Sequence, residues 1–417
     1  MKSSQLLNDT PLTNTLDNGI RHIHRQVQGT KIVHCAIMFD IGSRDEKPNE
    51  IGLAHLWEHM AFKGTKKRTA YQVLTYLDSL GGELNAFTTK EKICFHASIL
   101  DVHFEKAVDV LVDIAFNSVF PQKELEKEKK VILEEINMYL DSPDDAIQDE
   151  FDAYLFPNHA MGNNILGTIE SVNSFNQQHF FDFISHNMST DKVVFASLGN
   201  IDTTKAFSLV GKRLQAVPSK IKEIYRPNIE EVFPKAHTIK KTIQQAHVIM
   251  GNQALSVHDT DKYRLMLLNN ILGGPASNSL LYLSLREKHG YVYSVESSYN
   301  AFTDVGAVQI YFATEKRQVE KCMALVLKEM LKLDELVTKK SKLDAYKQQI
   351  KGQLAMSEEN NQGYMLMMAR SLLDLGKIED IETVFDDVEA TSAEQLIELR
   401  QKYFNPELMV SLTFLPN

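Results

Sequence analysis

Two periods of apolar residues alternate along the chain and outline its elements. Period two shows at Ile93, Phe95, Ala97 and Ile99, which share one face of a strand. The stretch Ile32–Phe39 reads as a second strand, within a strand region from about Ile20 to Ile41 in which Asn18-Gly19 marks a turn. Helical spacing covers Ala70–Leu80, closed by Gly81-Gly82, then Phe104–Phe116, Ala146–Tyr154, Ile169–Ser185 and Thr203–Leu214. A loop at 159–164 and a strand at Lys192–Leu198 complete this half. Between Gly52 and Gly64 the apolar residues Leu53, Ala54, Leu56, Trp57, Met60, Ala61 and Phe62 predict a helix that is mostly buried and stopped by Gly64.

The helix that begins near Pro121 has two stripes. Leu125, Glu128, Ile132, Glu135 and Tyr139 form one, and the wholly polar set Lys127, Lys130, Glu134, Asn137 and Asp141 forms the other. Glu134 therefore faces water. Glu128 and Glu135 lie on the stripe that carries apolar residues, where a carboxylate is paired or metal-bound; the alternative for Glu135 is the partly exposed edge of an amphipathic face.

The second half repeats the first. A shift of 215 residues aligns Asn85-Ala-Phe-Thr88 with Asn300-Ala-Phe-Thr303, the strand around Phe95 with Val308–Phe312, and Glu105-Lys106 with Glu320-Lys321, without a gap. That agreement points to a duplicated α+β unit. Between the copies, Pro218–Pro234 is charged, contains three prolines and lacks periodicity. The expected division is a domain at 1–218, a linker at 219–236 and a second domain at 237–417.

Length and composition fit this picture. At 417 residues, 43% hydrophobic and 24% charged, the chain suits a globular protein of two domains. A net charge of −10 argues against nucleic acid as the main partner. No apolar run reaches secretory or transmembrane length, so the expected location is cytoplasmic, without a membrane partner. Cys35, Cys94 and Cys322 are scattered and odd in number, which disfavours a disulfide framework or a thiolate metal site.

On the buried helix, His55 and His59 are four residues apart and share a face, with Glu58 beside them. Two imidazoles at this spacing can hold Zn²⁺, and Glu58 can reach water at the metal without being a ligand. Glu135 offers the third donor of a His₂Glu set with an open position. The alternative is a hydrogen-bonded structural cluster. At the 215-residue shift His55, Glu58 and His59 fall on Asn270, Gly273 and Gly274, so the second copy has no metal site.

His55-x-x-Glu58-His59, the acidic run Glu126–Glu135 and Leu285-Arg286-Glu-Lys-His-Gly290-Tyr-Val-Tyr293-Ser together resemble the pitrilysin/insulinase family of inverted-motif zinc peptidases, and most closely its short-chain branch, which includes mitochondrial processing peptidase. The resemblance covers nearly the whole chain. It implies two similar α+β domains, each an antiparallel-rich sheet packed with helices, forming half of a clamshell. It further implies a zinc metalloendopeptidase that cleaves unfolded peptides or presequence-like segments in a closed chamber. His55, His59 and Glu135 would be zinc ligands, Glu58 the general base and Glu128 the acid behind the ligands. Arg286 and Tyr293 would hold the substrate and stabilise an oxyanion. Gly82–Thr88 resembles the family's edge strand, with Asn85 and Ala86 as peptide-binding positions. Four domains make a chamber and this chain has two, so a homodimer, or a heterodimer with a related chain, is expected. A peptide-binding or scaffold subunit without catalysis is the alternative function.

Overall fold

A computed structural model describes residues 10–417. Eleven strands and fourteen α-helices alternate along the described residues, in two compact units. The first half of the chain contains β1 (Leu12–Thr15), β2 (Arg21–Gln26), β3 (Ile32–Phe39), α1 (Leu53–Ala61), α2 (Ala70–Asp78), β4 (Glu83–Thr88) and β5 (Ile93–Leu100). It continues with α3 (Phe104–Phe116), α4 (Gln122–Asp141), α5 (Pro143–Leu155), α6 (Ile169–Ser174), α7 (Gln177–Asn187), β6 (Val193–Gly199) and α8 (Thr203–Leu214). The second half holds β7 (Ala236–Lys241), β8 (Ala246–Ala254), α9 (Lys262–Gly273), β9 (Val292–Ala301) and β10 (Gly306–Thr314). After these come α10 (Val319–Val337), α11 (Lys340–Glu358), α12 (Asn361–Leu375), α13 (Ile381–Ala390), α14 (Ala393–Tyr403) and β11 (Val410–Pro416).

The first unit is built on a six-stranded sheet ordered β1-β2-β6-β3-β5-β4, antiparallel except where β2 runs parallel to β6. Both faces are covered, which explains why β3 is apolar almost throughout. On one face Phe39 and Phe95 pack around Trp57 of α1, Phe39 tilted against it and Phe95 edge-on. On the other, Ile23, Ala36, Met38, Cys94, Val194 and Ala196 meet Met365, Met368, Ala369 and Leu372 of α12. The second unit has a five-stranded sheet ordered β7-β11-β8-β10-β9. Val248, Met250, Val308, Ile310 and Phe312 pack with α9 and α10, while Ile249, Ala307, Leu412 and Phe414 pack with Ile147, Phe151 and Leu155 of α5.

The units thus differ from the contiguous domains expected at 1–218 and 237–417. The first comprises residues up to Ile136, Asn163–Arg226 and Ser357–Ile378; the second comprises Asn137–Gly162, Pro227–Met356 and Glu379–Asn417. α5 and α12 occupy matching places in the duplicated sequence, and each covers the sheet built mainly from the other half. A buried ion-pair group fixes α12: Lys92 lies 2.7 Å from Asp374 of that helix and 2.8 Å from Asp40 at the end of β3. The expected linker is free of helix and strand, apart from its last residue, Ala236, which starts β7. The single helix expected at Ile169–Ser185 is two, because Asn176 turns out of the helix and its side chain accepts from the Gln178 amide to cap α7. No helix among the described residues is long and apolar enough to cross a membrane.

Candidate metal centre

α1 starts at a tight place. Gly52 has φ +95°, and a Cβ there would stand 2.7 Å from Gly167 backbone, so glycine is required for both conformation and space. The buried carboxylate of Glu46 accepts from the Gly52 and Ala54 amides at 2.9 and 2.7 Å, satisfying donors that a helix start leaves open. This fixes the helix that carries both histidines. His55 and His59 lie one turn apart and meet edge to face, with ring centroids 4.6 Å apart.

Glu135 of α4 meets them. Its Oε1 lies 3.9 Å from His55 Nε2 and its Oε2 3.7 Å from His59 Nε2. One ligand atom from each of the three residues lies within 4.8 Å of the others, the one such group of three or more potential metal ligands among the described residues. Glu128, two stripe positions back along α4, accepts from His59 Nδ1 at 2.9 Å and pairs with Lys63 Nζ at 2.7 Å. Since a carboxylate only accepts, Nδ1 carries the proton and Nε2 presents its lone pair to the site. Glu134 is exposed, in keeping with its polar stripe.

The donor set fits Zn²⁺. Two imidazole nitrogens and one carboxylate oxygen make a three-ligand set with an open fourth position. Ligand atoms in such a tetrahedral site stand about 3.3 Å apart, and the three here, within 4.8 Å of one another, reach that spacing by an inward closure of the side chains. Burial, aided by the neighbouring His59, pushes the His55 imidazole down to about 3 and keeps it in the neutral, ligating form. Burial raises Glu135. It acts in the same sense on Glu128, but the hydrogen bonds from His59 and Lys63 outweigh it and hold that carboxyl below its ordinary value. Glu128→Gln should therefore weaken zinc binding about 10- to 100-fold, as loss of an outer partner does. Competition with a metal-binding dye measures this, and an unchanged affinity would show that Glu128 does not orient the ligand.

Glu58 stands next to the set. Its Oε2 accepts a 2.6 Å hydrogen bond from Thr88 Oγ1, at the end of β4, and burial raises its carboxyl despite that bond. Neither Thr88 nor Lys63 stands out in the sequence as a site residue. Among the described residues β4 pairs with β5 alone, which leaves its other side an open sheet edge. Asn85 and Ala86 lie on it, and the Ala86 amide is taken by the Asn85 side chain at 3.0 Å, so an incoming strand has to win that donor from Asn85.

Arg286 and Tyr293 belong to the second unit. Arg286, on a π-helical segment at Tyr282–Lys288, donates to the Tyr282 hydroxyl at 2.7 Å, and its guanidinium carbon stands 5.2 Å from the centre of the Tyr293 ring. Tyr293 is 83% exposed. Asn270, which replaces His55 in the second copy, donates to Gln353 at 2.8 Å. Because α11 begins 218 residues after α4, Gln353 occupies the place of Glu135. A neutral amide pair thus stands where the first copy has histidine and carboxylate.

Comparison with known proteins shows the family to which this duplicated α+β fold belongs. Residues 22–169 match the insulinase family (peptidase family M16) and residues 174–350 match the peptidase M16 inactive domain, and the chain belongs to that family. It is 33% identical over 406 residues to an uncharacterized zinc protease of Bacillus subtilis, covering 95% of this chain and 97% of the relative. An uncharacterized zinc protease of Mycobacterium leprae is 31% identical over 399 residues, covering 94% of this chain and 88% of the relative. Among solved structures, a peptidase M16 inactive domain from Pseudomonas fluorescens superposes with a TM-score of 0.90 at 18% identity, covering 98% of each chain. A protease from Helicobacter pylori gives the same score and identity, covering 98% of this chain and 100% of the other.

Proposed function

We propose that this chain is a zinc-dependent endopeptidase acting on extended, unfolded peptides. The observation that carries the reading is the convergence of His55, His59 and Glu135, with the carboxylate of Glu58 beside them. Zn²⁺ held by these three residues would supply Lewis acidity, making water acidic and polarising a peptide carbonyl. Glu58 takes the proton from the attacking water and returns it to the leaving amine. Its Oε1 is the oxygen for this task, since Oε2 is held by Thr88. The open edge of β4 receives the peptide backbone as an added strand, with Asn85 and Ala86 at the contact. In a homodimer, the Arg286 and Tyr293 that serve one zinc set belong to the other subunit, and bring a guanidinium for a peptide carbonyl and an exposed hydroxyl for the developing oxyanion. With two of the four domains that a chamber needs, the chain works as a homodimer or beside a related chain. The stretch that matches an inactive domain, residues 174–350, does not include His55, His59 or Glu135, which is compatible with a division of labour between the halves.

Metal removal tests the reading. Purified protein should cleave a denatured polypeptide, lose that activity on dialysis against a chelator and regain it with about one equivalent of Zn²⁺. Cleavage that survives complete metal removal, or no cleavage by the zinc-loaded protein, would overturn it.

A further inference from the structure

The hydrogen bond from Thr88 to Glu58 joins two parts of the site that sequence treats separately. Thr88 is the last residue of β4, the strand whose open edge is offered to the peptide, and its hydroxyl reaches Glu58 Oε2 at 2.6 Å. We infer that Thr88 is a positioning residue: it fixes the rotamer of the base, so that the strand which aligns the substrate also aims the group that acts on it. The inference rests on the peptidase reading.

Three observations carry it. Glu58 sits in α1, a helix held at its start by Glu46 and along its length by the buried Trp57, so its backbone is fixed while its side chain has three torsions to set. Thr88 is half-buried, and its β-branched side chain is restricted at χ1, so its hydroxyl is a stiff point of attachment. Finally, the bond spans from helix to sheet edge, and β4 is held on its other side by β5 through the register Thr88↔Ile93 and Phe87↔Cys94. A peptide added to the free edge of β4 would order the strand further, and with it the Thr88 hydroxyl. Alignment of substrate and orientation of base are then one event.

The test uses the full-length zinc-loaded protein with Thr88→Val and Thr88→Ser. Thr88→Val keeps the shape and removes the donor; it should lower kcat about ten- to a hundredfold, the range that follows from a misaimed base. KM and zinc stoichiometry should stay within about twofold of wild type. Thr88→Ser, which restores the hydroxyl, should return kcat to within about threefold of wild type. In a Glu58→Gln background Thr88→Val should add nothing, because the two act as one unit. The inference is overturned if Thr88→Val keeps wild-type kcat, if its loss tracks lost zinc or raised KM, or if Thr88→Ser is as impaired as Thr88→Val. Wild-type protein that cleaves no peptide would remove the peptidase reading itself, and this inference with it; an active wild type with an indifferent Thr88→Val removes the inference alone.

Discussion

Glu58→Gln is expected to abolish peptide cleavage, by about 10²- to 10⁴-fold, while leaving zinc bound. The substitution is nearly isosteric, and its amide oxygen can still accept from Thr88, so the fold around α1 is undisturbed. What disappears is the ability to accept a proton. Burial raises the Glu58 carboxyl above its ordinary value while Thr88 opposes the rise, and a base moved toward neutrality transfers protons in both directions more readily than one at the usual carboxylate value. Glu58 is absent from the His55–His59–Glu135 set, so its charge is not needed to hold the metal. Zinc analysis and turnover measured on the same preparation separate the two roles: activity equal to wild type would exclude Glu58 as the base, and loss of zinc in step with activity would make it part of the metal site.

The second large effect belongs to Glu135. Glu135→Gln should lower zinc affinity by more than the roughly 10- to 100-fold expected for an outer partner such as Glu128, because it removes an anionic donor from the set itself. Glu134→Gln should leave zinc in place. The two residues are adjacent in sequence and differ by about 100° around α4, enough to turn one toward the histidines and the other to solvent. Zinc content after dialysis against a graded chelator is the measurement. Equal retention, or equal loss, in the two variants would contradict the stripe assignment.

These contrasts were readable from sequence because helical periodicity is local. His55 and His59 four apart, and Glu128 and Glu135 on the partly apolar stripe of α4, follow from 3.6 residues per turn. The duplication was readable too, since strand phase and helix position recur at a constant offset. Thr88 was not. Its contact with Glu58 depends on how the sheet edge passes α1, which no local pattern encodes. The break at Asn176 was signalled by a good helix-capping residue set among the polar residues Ser174, Gln177 and Gln178. The composition of the two units was beyond local reading for a further reason: amphipathicity says that α5 and α12 bury a face, but not which sheet receives it.

That last feature governs how the protein can be made. A ribosome that has delivered the first half has produced a sheet whose Ile23, Met38 and Val194 face stays bare until α12 emerges, after β7–β10 of the second sheet. The second sheet meanwhile takes α5, a helix synthesised long before it. Domains usually mature one after the other during synthesis. This chain is denied that order: each sheet takes a helix from the other half of the sequence, and the first is covered only after β7–β10 of the second have been made.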